Sequence, residues 1–167
     1  MTVVLGIDPG LAATGYGVIE VVPNRFRHLG HGVITTDAGM PLGERLGKLY
    51  RELQEIIAEY HPSGAGVEAL YFARNAKSVI PVAEARGIVL LALTQAGVTP
   101  GEYAPQDIKQ AVVGQGRAEK EQVQEVVRLL LGLTDLPSPD HASDALAAAI
   151  CHAHHAAFSE GVARAME

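Results

Sequence analysis

Apolar and polar positions along the 167-residue chain alternate between two periods, and the changes of period mark out its elements. Val3-Val4-Leu5-Gly6-Ile7 is a short apolar run rich in β-branched residues, the pattern of a buried strand. It ends on the carboxylate of Asp8, and Pro9-Gly10 follow as turn punctuation. Thr14 to Val22 and Phe26 to Thr35 read as two further strands, joined by short linkers containing Gly, Pro and Asn as in antiparallel neighbours. The period then changes. Leu42, Leu46, Leu49, Leu53, Ile56, Ile57 and Tyr60 recur mostly at three- and four-residue steps, which predicts an amphipathic helix closed by His61-Pro62-Ser63-Gly64. Ala65 to Leu70 reads as a fourth strand, and the helical crossover before it predicts a parallel partner in the first strand. Ala76 to Ala96 is apolar on most faces and is interrupted by Pro81 and Gly87, so it reads either as packing over the sheet or as a subunit interface. Thr99 to Ala104 is a short fifth strand, followed by a helix from Pro105 to Val113, the loop Gly114-Gln115-Gly116-Arg117 and a helix from Ala118 to Leu131. After a linker from Leu133 to Pro137, Ser138 as N-cap and Pro139 at the first helical position open an alanine-rich helix to about Ala157. The order predicts an α/β fold with a mixed, five-stranded sheet flanked by helices.

Composition keeps this picture and narrows it. With 48% hydrophobic and 19% charged residues the chain is globular, and its length suits one domain over residues 1–167. No apolar run nears the ~20 residues needed to span a bilayer, so no membrane partner is expected. No basic region precedes the first apolar segment, which argues against a secretory signal. The single cysteine, Cys151, excludes an internal disulfide framework and suits a reducing cytoplasm. The net charge of −6 is unevenly spread. Residues 69–120 carry six basic and four acidic side chains, a local +2 that leaves −8 for the remainder. Such a segment is either an ordinary solvated surface or a face that steers a polyanion.

The carboxylates supply the candidate chemistry. Asp8 at a strand end reads as an Asx-type turn or as a ligand, because open α/β sheets gather ligands at such ends. Glu68 falls near the end of the strand predicted to lie beside it. In the last helix, His141 and Asp144 stand three apart and Asp140 and Asp144 four apart, so each pair shares a face. Asp140 in a first helical turn is stabilised by the macrodipole alone. Asp144 precedes an apolar stretch, where a carboxylate has to be paired or to hold a metal. Asp8, Glu68, Asp144 and either His141 or Asp140 form an oxygen-rich set suited to magnesium or manganese. Two such ions ~4 Å apart stabilise the attacking and leaving oxygens of a phosphodiester. Cys151-His152-Ala153-His154-His155 imitates a metal site, but no acid adjoins it and it reads as a solvent-facing part of the helix.

In order and spacing the chain resembles the RuvC family of Holliday-junction resolvases, which have the ribonuclease H-like, retroviral-integrase fold. The resemblance rests on Gly6-Ile7-Asp8-Pro9-Gly10, on Glu68 with Asn75 and Lys77 downstream, and on Glu84-Ala85-Arg86-Gly87. It continues through Lys109-Gln110, Val112-Val113-Gly114, Ala118-Glu119-Lys120 and Ser143-Asp144-Ala145-Leu146-Ala147. It implies a metal-dependent endonuclease that resolves four-way DNA junctions by paired nicks in recombination and repair, using two Mg2+ or Mn2+ ions per active site. It carries over Asp8, Glu68 and Asp144 as catalytic metal ligands. Where the family commonly has Asp three residues before its last ligand, this chain has His141, which becomes the fourth ligand with Asp140 as its neighbour. An imidazole there shifts preference toward manganese and makes activity fall below about pH 6.5 as it protonates. The resemblance also implies a homodimer matched to the two-fold junction and a branch-migration motor as partner. It makes Arg74, Lys77, Lys109, Arg117 and Lys120 candidate DNA contacts and places Tyr71 to stack on an unpaired base, with Phe72 in the core.

Three other functions fit parts of the pattern. A nuclease for RNA–DNA hybrids or structured RNA keeps Asp8, Glu68 and Asp144 but needs no two-fold dimer. A phosphotransferase also opens on Gly-Ile-Asp-x-Gly, yet needs a second lobe for which 167 residues leave no room. A non-catalytic junction binder leaves the carboxylates at three element ends unexplained.

Overall fold

The computed structural model describes residues 2–70 and 76–165, with the side chains of residues 76–78 and 158–165 excepted. Five strands form one mixed sheet: β1 (Thr2–Asp8), β2 (Ala13–Val22), β3 (Arg25–Thr35), β4 (Gly64–Glu68) and β5 (Pro100–Tyr103), in the order β3-β2-β1-β4-β5. β1 pairs antiparallel with β2 and parallel with β4, as the helical crossover requires. The helices are α1 (Leu42–Tyr60), α2 (Ala76–Gln95), α3 (Pro105–Val113), α4 (Lys120–Leu131) and α5 (Asp140–Ala165).

Both faces of β1 are covered, which is why its apolar run is continuous. Leu5 and Ile7 join one core with Leu49, Leu53 and Ile57 of α1 and Ala85, Val89 and Leu93 of α2. Val4 and Ile19 join a second core on the opposite face with α3, α4 and α5. The period-2 alternation then puts Asp8 on the α5 face, since it continues Val4 and Gly6. In β4, Ala65 and Val67 face the first core, so Glu68 also falls on the α5 face. Ile7 lies beside Val67, which brings Asp8 and Glu68 to adjacent strand ends.

Some boundaries differ from the sequence expectation. α1 closes on His61 itself, in the left-handed region at φ 47°, while Gly64 opens β4. α4 starts at Lys120, because Glu119 and Gln122 form a reciprocal capping box that fixes its N-terminus. α5 starts at Asp140 rather than Pro139: the Pro139 carbonyl accepts hydrogen bonds from the amides of Ala142 (2.9 Å) and Ser143 (3.2 Å), leaving Ser138 outside the helix. α5 also continues past Ala157 to Ala165. No helix among the described residues is long and apolar enough to cross a membrane.

Candidate active site

The site is built where β1 and β4 end and α5 begins. α5 lies almost against the sheet backbone. A Cβ on Gly6 would sit 1.8 Å from the Ala145 carbonyl oxygen, and one on Gly15 would sit 1.9 Å from that of His141. Gly15 is the register partner of Asp8, so the same glycine that admits α5 sets its first turn over the aspartate.

One ligand atom from each of Asp8, His141 and Asp144 lies within 4.8 Å of the others, a group able to hold a metal ion. His141 Nδ1 is 2.7 Å from Asp8 Oδ2; the Asp8 side chain is 14% exposed and that of His141 51%. Glu68, on the neighbouring strand, stands outside that three-residue group but is hydrogen-bonded to Asp8. Burial, and then the charge of and a hydrogen bond with Asp8, push its carboxyl up to about 8. Burial also raises Asp144, against the pull of Lys120. Carboxylates crowded this way are costly without a cation between them, and their hard oxygens with one imidazole suit a divalent metal. The residues present fit such a group.

Two cavities flank the cluster and share Glu68 and Pro105. One, of about 210 Å3, is lined by Glu68, Ile108, Lys109, Lys120, Val123 and Asp144 among others. The other, of about 330 Å3, is mainly apolar, with Pro9, Leu70, Val79 and Val82 beside Asp8, Arg86 and His141. Lys120 Nζ stands 3.1 Å from Asp140 Oδ2 and 3.5 Å from Asp144 Oδ2.

Of the residues expected at the site, Asp8, Glu68, His141 and Asp144 come together, with Lys109 and Lys120 at the adjoining cavity. Asp140 faces Lys120 and Gln124 instead of the cluster. Arg117 is exposed on the α3–α4 loop and lines neither cavity. Tyr71, Phe72, Arg74 and the Lys77 side chain lie outside the described residues. Sequence reasoning gave Gly6 and Gly15 no packing role; the signal for such a role is glycine at alternate strand positions on one face (Gly15 and Gly17, Gly64 and Gly66). It gave Arg86 no role beyond its place in the motif; the residue ties α2 to β5 through Glu102 at 2.8 Å and lines the apolar cavity.

The Cys151–His155 tract is a correction. Cys151 is fully buried, and burial pushes its thiol up to about 12, so it stays neutral. His152 is half-buried beside Tyr103, its Nδ1 3.0 Å from the phenol oxygen, in space left by Gly64, Gly66 and Gly101. His154 and His155 are exposed; His154 Nδ1 lies 3.1 Å from the Ala111 carbonyl oxygen and His155 stacks on Tyr103. The tract is half core and half surface, and these residues form no metal-holding group.

The family model for "Crossover junction endodeoxyribonuclease RuvC" matches residues 4–152. The chain belongs to the RuvC family. A protein of that name from Treponema denticola is 58% identical over 147 residues, covering 88% of this chain and 83% of the relative. Another from Caldanaerobacter subterraneus subsp. tengcongensis is 52% identical over 151 residues, covering 90% and 92%. Among solved structures, Thermus thermophilus RuvC in complex with a Holliday junction substrate superimposes with a TM-score of 0.91 at 38% identity, covering 95% of this chain and 97% of that one. The sheet and helices described above are therefore those of the ribonuclease H-like RuvC fold.

Proposed function

We propose that this protein is a crossover-junction endodeoxyribonuclease that nicks four-way DNA junctions by metal-dependent phosphodiester hydrolysis. The observation that carries the reading is the convergence of Asp8, Glu68, His141 and Asp144, from two strand ends and one helix start, beside a cavity edged by Lys109 and Lys120. These four residues would hold Mg2+ or Mn2+, two ions in all. Bound there, the metal supplies Lewis-acid stabilisation of the phosphoryl oxygens and a water acidic enough to attack near neutral pH. The chain's own residues do the rest. As a ligand Glu68 would have to give up its proton, and Asp8 is placed to orient the His141 ring through Nδ1. Lys109 and Lys120 meet the phosphate of the strand to be cut, contacts that position the DNA without reading its sequence. Arg117 and, beyond the described residues, Tyr71, Arg74 and Lys77 extend this surface.

The working unit is a homodimer matched to the two-fold symmetry of the junction, with one active site for each of two like strands. The outward face of α2 supports it. Ile80 and Leu91 are 56% and 46% exposed, and a Cβ added at Gly87 between them meets no described atom within 4 Å.

The test is cleavage of a synthetic mobile junction, with an RNA–DNA hybrid of equal length as comparison, in Mg2+ and in Mn2+. Asp8→Asn and Asp144→Asn are expected to slow junction cleavage by about a hundredfold or more while junction binding changes little. Either variant cutting at the wild-type rate removes the metal assignment. A wild-type preference for the hybrid makes the protein a ribonuclease H-type enzyme instead.

A further inference from the structure

Asp140 adjoins the cluster in sequence but takes no part in it. One residue before His141, it points about 100° away around α5, and both its oxygens are engaged elsewhere. Oδ2 pairs with Lys120 Nζ at 3.1 Å, and Oδ1 accepts a hydrogen bond from Gln124 Nε2 at 3.2 Å. Lys120 and Gln124 share a face of α4, and the capping box of Glu119 and Gln122 pins the start of that helix. Lys120 thus spans two acids one turn apart on α5, Asp140 and Asp144 at 3.5 Å, where it lines the cavity beside Glu68.

The two acids differ in what a cation does to them. Asp144 belongs to the metal-holding group, and an ion held there would take up its charge and loosen its hold on Lys120. Asp140 keeps its charge in either case. An ammonium on a flexible four-carbon stem has no fixed direction of its own, but it has three donors, and one anchored on Asp140 leaves the others for Asp144 or for a phosphate. We propose that Asp140, held by Gln124, is a positioning residue that keeps Lys120 at the mouth of the Glu68–Asp144 cavity against the phosphate of the strand being cut. This rests on the reading of Lys120 as a phosphate contact. It assigns Asp140 a role in the rate of cleavage and none in binding metal.

The experiment compares wild type, Asp140→Ala, Asp140→Glu, Lys120→Ala and the Asp140→Ala/Lys120→Ala double variant, with Asp8→Asn as the control for the metal-site reading. Three quantities are measured: single-turnover cleavage rate at saturating junction, junction affinity in EDTA, and Mn2+ affinity of the free protein by calorimetry. Asp140→Ala is expected to slow cleavage about five- to tenfold, with junction and Mn2+ affinities each within about twofold of wild type. Asp140→Glu, one methylene longer, recovers part of the rate. In the Lys120→Ala background, Asp140→Ala has no further effect, because the group it positions is gone. A roughly tenfold loss of Mn2+ affinity in Asp140→Ala makes it a ligand and overturns the proposal. So does a wild-type rate in that variant, or slowing that multiplies with Lys120→Ala, the outcome of a purely structural role at the start of α5. Wild-type cleavage by Asp8→Asn removes the metal-site reading, and by Lys120→Ala the phosphate reading; a failure confined to Asp140 leaves both standing.

Discussion

Glu68 carries the clearest electrostatic cost in the site. Burial first, and then Asp8, raise its carboxyl from 4.5 to about 8. In the absence of metal the folded protein therefore holds a proton that the unfolded chain releases over that range. The sign follows: the stability tied to this proton is complete below about pH 4.5 and is lost as pH rises through about 8. In EDTA, the melting temperature is expected to fall from about pH 5 to about pH 8, with a flatter profile in Glu68→Gln. Mn2+ opposes the trend, since a ligating carboxylate must lose its proton and metal affinity climbs with pH. Scanning fluorimetry with and without Mn2+ reads both effects, and equal EDTA slopes in wild type and Glu68→Gln would show that Glu68 is not the titrating group. At this scale the sequence was most informative for Asp8, Glu68 and Asp144, because strand alternation and helical spacing fix the face on which each falls. The partner of Asp140 was not legible: it depends on where the start of α4 docks, and nothing within α5 encodes that.

Among the elements, α5 does most to assemble the site, and it does so by lying where side chains on the sheet would normally hold a helix away. Gly15 is the critical contact, because the space for its Cβ is filled by the His141 backbone. Gly15→Ala is expected to destabilise the fold by about 1–3 kcal/mol or more through overpacking. It should also weaken Mn2+ binding in the protein that remains folded, by lifting His141 away from Asp8. Gly43→Ala is the control, since no described atom lies within 4 Å of its Cβ in the first turn of α1, and it is expected to change stability by no more than about 0.5 kcal/mol. Chemical denaturation with calorimetric Mn2+ titration separates the two outcomes; unchanged stability in Gly15→Ala would mean that α5 shifts freely over the sheet. The same glycines explain what the hydrophobic pattern concealed. Ten elements were readable from period and punctuation, but the Cys151–His155 tract looked polar and solvent-facing. Gly64, Gly66 and Gly101 vacate the volume that admits His152 under the sheet, a tertiary fact that helical periodicity does not record. The helix starts at Lys120 and Asp140 were likewise set by backbone acceptors and a capping box rather than by the first apolar residue.

For the molecule as a whole, α2 presents two faces of different exposure. Ala85, Val89, Ala92 and Leu93 are buried in the core over the sheet, whereas Ile80, Gly87 and Leu91 look outward. The two readings of this segment, packing or interface, are thus compatible, one for each side of the helix. An outward face with large apolar side chains around a glycine lets a second copy approach closely, and a two-fold arrangement makes the same patch meet itself. Placing like charges there opposes that pairing without touching the inner core. Ile80→Glu/Leu91→Glu is expected to remain folded and to run at the 17.6 kDa of one chain in light scattering, and wild type is expected at twice that mass. If the dimer is the unit that grips the junction, the variant should also bind it about tenfold more weakly and nick one strand at a time, since loss of the second set of phosphate contacts removes their avidity. Mapping nicks on all four strands distinguishes paired from single events. A wild-type protein that is monomeric at tens of micromolar and still cuts in pairs would exclude α2 as the interface, and so would a variant that keeps the doubled mass.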